Sequence, residues 1–433
     1  MTSDLRRYTL TLTEAAEAIA ERRLTAAELA TAQLARVRAT DAAVEAWATL
    51  DPEHVQRESG RWDAVPRAGP LGGIGIGVKD IIATAELATT MGSRIFADHR
   101  PAHDAACISR LKAAGAFVFG KTVTTPFAFM DPGKTRNPWD PAHTPGGSSS
   151  GSAAAVAVGH VVAAVGTQTN GSVVRPAAYC GVVGFKPTIS AIPFDGVHVF
   201  SETLDTVGAF TRTVEDAARL VSVLADPGRI AGTLTPHSGI PRFAYIGDFP
   251  WTTLDCDADD VVEAAVTRLR TRAEVTPVEV PPAWHGARDL HRTIMLYEAA
   301  RNMGELQQRE RARLSPAVNA ALDEGRTIGR KAYETALAER ERAIAHFTRR
   351  FEEFDAVLSP SAPGTAPRGL ATTGDPSCCT LWSLLGFPAI NLPVGSVGRL
   401  PVGLQLAAPQ YCDDRLLSAA AWCGARLPFR GLV

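Results

Sequence analysis

Two loops that end in serine and one lysine are the residues of this sequence whose types and spacing could carry chemistry. The loops are residues 146–148 and 170–172, and their serines are Ser148 and Ser172. They flank the segment 153–165, whose small apolar residues predict a buried helix. Because its side chains are small, other elements can approach its backbone closely. We therefore predict that this helix holds two hydroxyl groups over one pocket.

The turn that precedes Ser172 suits an oxyanion hole. Asn170 and Gly171 readily adopt left-handed backbone conformations. Such a turn can point several consecutive N–H groups into one concavity, where they stabilise a developing negative charge. Ser172 could then attack a carbonyl carbon whose oxygen lies among those groups. The alternative is a plain tight turn between a helix and a strand, which needs only Gly171.

A serine nucleophile needs a base, and Lys79 is one candidate. Over residues 74–79, branched side chains alternate with two glycines and then Lys79, a period of two that predicts a strand. If the glycine face is interior, desolvation lowers the pKa of Lys79. The alternative is a strand-end lysine that reaches water. A neutral Lys79 could deprotonate Ser148, which would in turn deprotonate Ser172.

Three competing kinds of site find little support in the sequence. None of the ten histidines lies in a recognisable histidine-triad context, so a Ser-His-Asp triad is unsupported. Residues 115–122 fit the nucleotide-binding pattern G-x-x-x-x-G-K-[ST], but their centre is strand-like, so its N–H groups would serve a sheet rather than phosphates. No group of side chains has metal-ligand spacing. We expect no nucleotide, cofactor or metal.

Composition and charge favour a globular protein with a large core. The 433 residues are 45% hydrophobic, and 44 Lys plus Arg balance 46 Asp plus Glu without any block of like charge. The charge distribution therefore gives no indication of nucleic acid or an anionic membrane as a partner. Seven scattered cysteines include no C-x-x-C pair, and the first residues lack the apolar core of a signal peptide. We expect reduced thiols and a cytoplasmic, membrane-free location.

Strand and helix signals alternate along the chain, which favours a single large α/β domain. Residues 13–38 indicate two amphipathic helices, the second begun by a capping box of Thr25 and Glu28. A helical region from 287 to 354 is expected to break near Gly325. The remaining predictions are a helix and strand over 104–119, a strand over 179–187, a helix over 213–225, strands over 242–247, 275–280 and 389–392, and a helix over 257–273.

At this point several blocks resemble the amidase signature family. The blocks are Gly-Val-Lys-Asp at 77–80, Gly-Gly-Ser-Ser-Ser-Gly-Ser at 146–152, Gly-Thr-Gln-Thr-Asn-Gly-Ser at 166–172 and Gly-Val-Val-Gly-Phe-Lys-Pro-Thr at 181–188. Further segments that resemble the family lie at 135–139, 204–208 and 384–389. The resemblance covers nearly the whole chain. It implies one amidase signature domain over 1–433, with a large mixed twisted β-sheet covered by helices on both faces.

Within that domain the resemblance assigns three regions. They are an N-terminal helical segment over 1–60, a signature core over 65–225 and a helical region over 285–355 that packs on the core. The alternation of elements gives no boundary between independent domains. We also expect a homodimer, because the helical region is rich in Ala, Arg and Glu, and leave open a small accessory protein.

The resemblance also implies a Ser–cis-Ser–Lys triad. Ser172 would be the nucleophile, Ser148 the bridging serine after a cis peptide bond, and Lys79 the base. The reaction would be amide hydrolysis through an acyl-enzyme, without a cofactor or metal. The backbone N–H groups of the oxyanion hole would be those of Thr169, Asn170, Gly171 and Ser172.

The arginine after the nucleophile bears on the substrate. Many family members carry it two residues after the serine, where this chain has Val174, and here Arg175 comes three residues after. This variant resembles the malonamidase branch, in which the arginine binds the carboxylate of a short acid amide; a guanidinium suits bidentate capture of that group. The alternative is an Arg175 that pairs with a buried acid. Gln168 also replaces an aspartate that is common in the family.

The expected activity is therefore hydrolysis of a small linear amide that bears a carboxylate, of the malonamate or carboxybiuret kind. One alternative is the ammonia-releasing A-type subunit of the tRNA-dependent amidotransferase. Another is an amidase for fatty or aryl amides, which needs a wide apolar channel. A non-catalytic interaction protein is disfavoured because Lys79, Ser148 and Ser172 are all present.

Overall fold

A single large sheet organises the computed structural model, which describes residues 7–65 and 69–433. Residues 1–6 of the predicted N-terminal segment and 66–68 of the predicted signature core lie outside this description. Among the described residues eleven strands belong to this sheet. Numbered in chain order, they are β1 (Trp47–Thr49), β2 (Gly75–Lys79), β3 (Phe117–Thr122), β4 (Ala164–Gln168), β5 (Val183–Lys186), β6 (Thr206–Thr211), β7 (Arg242–Tyr245), β8 (Glu274–Pro277), β9 (Ala356–Pro360), β10 (Ala389–Val397) and β11 (Leu400–Ala407).

The strand order across the sheet is β1-β3-β2-β4-β6-β5-β10-β11-β9-β7-β8. β2 runs parallel to both of its neighbours, β3 and β4, and β7 runs parallel to β8 and β9. The other pairs are antiparallel. The sheet is therefore mixed, as the sequence predicts.

Thirteen α-helices accompany the sheet in the described part of the chain. They are α1 (Leu12–Ala20), α2 (Ala26–Val44), α3 (Pro52–Asp63), α4 (Ala106–Ala113), α5 (Ser150–Ala157), α6 (Val174–Cys180), α7 (Val214–Leu224), α8 (Cys256–Arg270), α9 (Ala287–Glu310), α10 (Pro316–Thr327), α11 (Arg330–Phe351), α12 (Ser377–Leu384) and α13 (Asp413–Gly424).

Successive residues of the central strands enter different hydrophobic cores. On β3, Val118 joins one core and Phe119 another, and on β11 Leu406 and Ala407 divide in the same way. This follows from the alternation of side chains along a strand. α1, α4, α7, α8 and α13 supply the first core, while α3, α5, α9, α11 and α12 line the opposite face. Helices on both faces confirm the predicted fold class.

The prediction of one buried helix over 153–165 is wrong. Helix α5 ends at Ala157, and Gly159 then takes a positive φ of 76° before the chain enters β4. Small and branched apolar residues suit a buried helix and a buried strand equally well, so composition alone does not separate the two. The two serines therefore do not share a helix: Ser148 precedes α5, and Ser172 follows β4.

The strand over 179–187 also needs correction, while the break in the helical region is confirmed. The predicted strand over 179–187 begins only at Val183, because Tyr179 and Cys180 still belong to α6. The helical region breaks at residues 328–329, near Gly325 as predicted, although Gly325 itself lies inside α10. A Cβ atom there would clash with the carbonyl oxygen of Leu296 in α9, so this glycine permits two helices to pack closely. A further break, at residues 311–315, separates α9 from α10.

Other local predictions are confirmed. Thr25 and Glu28 form a reciprocal capping box at the start of α2. The residues that imitate a phosphate-binding loop form strand β3, and Lys121 is buried, with its Nζ 2.6 Å from the carbonyl oxygen of Ile82. Those N–H groups therefore belong to a sheet. No helix among the described residues has both the length and the apolar character to cross a bilayer.

Helix α5 lies unusually close to the sheet at Gly151. A Cβ atom on this residue would clash with the carbonyl oxygen of Ala46 and the backbone nitrogen of Val123. Gly151 N already donates a hydrogen bond of 3.0 Å to Val123 O. Both obstacles are backbone atoms, which cannot rotate away. This contact fixes the height of α5, and of the loop that carries Ser148, above the sheet.

We predict that Gly151→Ala lowers the free energy of unfolding by about 1–3 kcal/mol or more, because the added methyl group forces the helix off the sheet. Gly60→Ala is the matched control: Gly60 lies inside α3 with nothing within 4 Å of its would-be Cβ. That substitution should stabilise the protein by up to about 1 kcal/mol. Guanidinium unfolding of both variants measures the contrast, and equal effects would contradict the close contact.

Candidate active site

The carboxyl ends of two parallel strands bring the predicted site residues together. β2 ends at Lys79 and β4 ends at Gln168, and the two strands pair in parallel. The loop before α5 brings Ser148 to the same edge, where Lys79 contacts it. In open α/β sheets this edge is the usual place for a ligand site.

Lys79 is fully buried and linked to two hydroxyl groups. Its Nζ donates to Ser148 Oγ at 2.7 Å and to Thr167 Oγ1 at 2.8 Å. Burial lowers the pKa of Lys79 well below 10.5, and the nearby Asp205 carboxylate offsets only part of this effect. The alternative of a strand-end lysine that reaches water is wrong. A neutral amine in this place has a lone pair that can accept a proton.

The bridge to Ser148 is built from closely packed backbone. The peptide bond between Gly147 and Ser148 is cis, as predicted. A Cβ on Gly147 would lie 2.8 Å from the methyl carbon of Thr373, so the loop has no space for a larger residue. On its other side, the carbonyl oxygen of Ser148 accepts a hydrogen bond of 3.2 Å from Thr125 N.

The serines after Ser148 tie α5 to β4. Ser149 Oγ donates to Thr167 O at 3.0 Å and accepts from Thr167 N at 3.2 Å. Ser152 Oγ donates to Val165 O at 3.0 Å. These bonds hold the loop that carries Ser148 in register with the strand that carries Thr167. The serine-rich composition of this loop therefore has a structural cause besides Ser148 itself.

Ser172 lines a cavity of about 350 Å³ together with Thr169, Asn170, Gly171 and Arg175. Its hydroxyl group makes no hydrogen bond to the residues that the structure describes. The contact from Lys79 to Ser148 is formed, whereas the contact from Ser148 to Ser172 is not. Catalytic hydrogen bonds often tighten only in the complex with substrate. Ser172 is free to face a substrate from the cavity wall.

The loop at 169–172 presents backbone N–H groups that are available to a ligand. Those of Asn170, Gly171 and Ser172 donate no hydrogen bond to any described residue. Thr169 Oγ1 donates to the Asp205 carboxylate at 2.6 Å, and Thr380 Oγ1 donates to Asn170 Oδ1 at 3.0 Å. The loop is thus held by its side chains while its N–H groups stay unpaired, as an oxyanion hole requires.

Asp205 joins this loop to the neighbouring segment. Its other carboxylate oxygen accepts from Phe200 N at 2.7 Å and from Ser201 N at 2.9 Å. Burial raises the pKa of Asp205 to about 6, and its hydrogen bond from Thr169 opposes that rise. Above this pH the carboxylate is ionised and favours a positive charge on Lys79. No sequence pattern predicted a role for Asp205, although it lies in the block 204–208.

Gln168 arranges the backbone that follows the nucleophile. Its Oε1 accepts from Val173 N at 2.9 Å and from Val174 N at 3.0 Å, and its Nε2 donates to Ser383 Oγ at 3.0 Å. The Ser383 hydroxyl group in turn donates to Asn170 O. The neutral side-chain amide of Gln168 pairs with all of these groups. This hydrogen-bond arrangement therefore does not need the aspartate that is common at this position in the family.

Arg175 is a buried cation without an ion pair to any described carboxylate. Its exposed fraction is 5%, and its Nη2 donates to Gly147 O at 2.6 Å and to Thr373 Oγ1 at 3.1 Å. Its Nε is buried and has no partner among the described residues. The alternative of a pair with a buried acid is therefore not observed. Burial lowers the pKa of this guanidinium but cannot neutralise it.

Besides Asp205, sequence reasoning missed three further residues that hold the site. They are Thr167 beside Lys79, Thr373 beside Arg175, and His291, whose Nε2 lies 3.1 Å from the carbonyl oxygen of Thr169. Burial lowers the pKa of His291 to about 4, so its ring is neutral and donates this bond. Thr373 and His291 lie more than a hundred residues from their partners. Of these three residues, only Thr167 lies in one of the sequence blocks that resemble the family, residues 166–172.

Comparison with known proteins identifies the class of enzyme. The family described as Amidase matches residues 28–417, so the chain belongs to the amidase family and hydrolyses amide C–N bonds. This agrees with the sequence resemblance. The finer assignment to a malonamidase-like branch receives no support from these comparisons.

Individual relatives fall into two groups. The A-type subunit of the glutamyl-tRNA(Gln) amidotransferase from Roseiflexus sp. (strain RS-1) is 32% identical, with 95% of each chain covered. A crystal structure described as an amidase superposes with a TM-score of 0.89 at 31% identity, over 97% of this chain and 100% of the other. The peptide amidase of Stenotrophomonas maltophilia superposes with a TM-score of 0.82 at 27% identity, over 98% of each chain.

We predict that the buried Lys79 makes stability depend on pH in a defined direction. Because its pKa is lowered in the folded state, the unfolded chain binds one more proton between that pKa and 10.5. The free energy of unfolding of wild type relative to Lys79→Met should therefore rise by about 1.4 kcal/mol per pH unit through this window. Chemical denaturation of both proteins across the window measures it.

The comparison with Lys79→Met removes the contributions of Lys121 and Lys186, whose pKa values burial lowers to about 8 and about 7. Below the folded-state pKa of Lys79 and above 10.5, the difference should be constant. A difference that stays flat through the whole range would mean that Lys79 is charged in the fold.

Proposed function

We propose that this amidase hydrolyses small linear amides that carry a carboxylate, with Ser172 as nucleophile and Arg175 as the carboxylate anchor. One observation carries the proposal: Arg175 is buried without an ion pair to a described residue and lines the same cavity as Ser172. A buried, unpaired cation costs several kcal/mol, and an anionic ligand would offset that cost. This fits the malonamidase-like branch.

The proposed chemistry begins with a proton relay. Neutral Lys79 accepts the proton of Ser148 Oγ while Ser148 accepts the proton of Ser172 Oγ. Ser172 Oγ then bonds to the amide carbon, and the carbonyl oxygen takes up the negative charge. We assign the stabilisation of that oxygen to the backbone N–H groups of Thr169, Asn170, Gly171 and Ser172.

The relay then runs backwards to release the amine. The C–N bond breaks as the proton held on Lys79 returns through Ser148 to the leaving nitrogen. Ammonia or an amine departs, and the acyl group stays on Ser172 as an ester. Water, deprotonated by the same relay, attacks this ester and releases the acid. Asp205 favours the transient ammonium form of Lys79, because its carboxylate acts on that charge.

A second candidate is the A-type subunit of a tRNA-dependent amidotransferase. This function is supported by relatives that carry the name of such a subunit. They are 31–34% identical and align over more than nine-tenths of this chain. That function would require glutamine as the amide donor and partner proteins. The arginine three residues after Ser172 favours the free-standing amidase, because many members of the family carry it two residues after the nucleophile.

We predict that Arg175→Met lowers the ratio of kcat/KM for malonamate to kcat/KM for propionamide by about tenfold to a hundredfold. The loss corresponds to one or two charge-assisted hydrogen bonds. A ratio is the right quantity because any damage to the loop at Gly147 affects both substrates. Ammonia release at several concentrations of each amide measures it.

The matched control is Arg292→Met. Arg292 lines the same cavity but is exposed, and its Nε donates to Glu324 at 2.8 Å, so its charge is already paired. Its substitution should change the ratio less than about twofold. Equal losses for malonamate and propionamide in Arg175→Met would refute the carboxylate anchor. Preference of the wild type for glutamine over both amides would favour the amidotransferase function.

A further inference from the structure

The catalytic cavity is lined by polar groups and by an apolar wall. The polar groups come from Arg175, Thr373, the start of α12 and four residues of α9, namely Arg288, Asp289, His291 and Arg292. The apolar side chains come from the turn after β3, from the segment before β6 and from α9. They are Ala128, Phe129, Met130, Phe200 and Met295. A primary amide with a carboxylate would use the polar groups and leave the apolar wall uncovered.

The size of the cavity also indicates a substrate larger than a short acid amide. Its volume of about 350 Å³ falls in the range of roughly 300–1,000 Å³ that is typical of drug-sized ligands. A three-carbon acid amide is much smaller than such a ligand. The additional space therefore calls for a substrate group that the carboxylate anchor does not explain.

The apolar wall is supported by a core of its own. The Phe129 and Phe200 rings stack with centroids 5.0 Å apart, and both belong with Met295 to a hydrophobic cluster that α9 and α10 complete. Phe200 is buried, whereas Met130 has an exposed fraction of 58%. The wall thus consists of a fixed inner part and an exposed outer thioether. Met side chains adapt readily to apolar ligands.

The turn that carries this wall has an unusual backbone. Phe127 and Ala128 have φ values of 55° and 60°, in the left-handed region that residues other than glycine rarely adopt. The Phe127 ring packs edge-on against Phe96, at 6.1 Å between centroids, and its N donates to Met91 O at 2.9 Å. Such strain is maintained by its surroundings and is concentrated at ligand-binding and catalytic positions.

The same turn is attached to the proposed proton relay. Thr125 N donates to Ser148 O at 3.2 Å, only a few residues before the apolar wall begins. In the proposed mechanism Ser148 returns the proton to the leaving nitrogen. The amide nitrogen must therefore lie on the Ser148 side of the site, and the segment 128–130 follows Thr125, which contacts Ser148, in the same turn.

We infer that Phe129, Met130, Phe200 and Met295 form a subsite for an apolar substituent on the amide nitrogen. The enzyme then acts on secondary amides that have a carboxylate in the acyl part and an alkyl or aryl amine as the leaving group. This inference rests on the proposed function, because it assigns the carboxylate to Arg175 and the nitrogen to the Ser148 side.

A panel of four amides separates the two proposals. Malonamate and propionamide differ in the carboxylate, and their N-butyl derivatives add the apolar group to each. We expect N-butylmalonamate to exceed malonamate in kcat/KM by at least about tenfold, because a few buried methylene groups provide that much discrimination. Product acid, measured by chromatography, gives all four rates.

Substitution of Met130 tests the wall directly. Met130→Gln keeps the length of the side chain but makes it polar, and should lower the ratio of N-butylmalonamate to malonamate at least about fivefold. Met130→Leu, which stays apolar, should keep the ratio within about twofold. Ile240→Ala, at an exposed apolar residue outside the cavity, is the control and should not change it. Met130 is exposed, so the variants should fold.

Each outcome decides between the proposals. If wild type prefers malonamate to both N-butylmalonamate and propionamide, the apolar subsite is refuted while the carboxylate anchor stands. If the N-butyl group helps but propionamides are hydrolysed as well as malonamates, the subsite stands and the carboxylate anchor falls. An unchanged ratio in Met130→Gln would remove Met130 from the subsite and refute the inference as stated.

Discussion

The site depends on one constraint, the complete burial of Lys79 between two hydroxyl groups. A lysine held out of water is driven to its neutral form, and its two hydrogen bonds point the amine at Ser148 and Thr167. The rest of the architecture maintains this position. Parallel pairing of β2 with β4 places Lys79 beside Thr167, and Ser149 and Ser152 fasten the Ser148 loop and α5 to the same strand.

Burial acts differently on the two cations of the site. It lowers the pKa of Lys79, whereas the guanidinium of Arg175 stays charged and contacts only neutral acceptors among the described residues. We propose that the first provides a base and the second an anion site. In the proposed function they serve the two ends of the acyl group, while the apolar wall receives the amine. In that function the helical region α9–α11 has a role in substrate binding, because α9 supplies part of that wall.

Local patterns predicted much of this site. The two glycines before Lys79 indicated an interior face. The N–H groups of the loop at 170–172 are unpaired among the described residues, but neither Asn170 nor Gly171 has the left-handed backbone from which that loop was predicted. Composition did not predict the secondary structure of residues 153–165 correctly, because small and branched apolar residues suit a buried helix and a buried strand alike. The partners of Arg175 and Thr169 could not be predicted, since Thr373 and His291 approach from positions far away in the chain. Such contacts arise from the sheet order, which no local pattern contains.

The central claim is that Ser172 carries the acyl group. Its most direct test is peptide mass mapping of the enzyme quenched in acid during turnover of malonamate, alongside Ser172→Ala. The account predicts a malonyl ester on the peptide that contains Ser172, and neither adduct nor turnover in the variant. An acyl group on Ser148 or a cysteine, or hydrolysis that persists in Ser172→Ala, would contradict it.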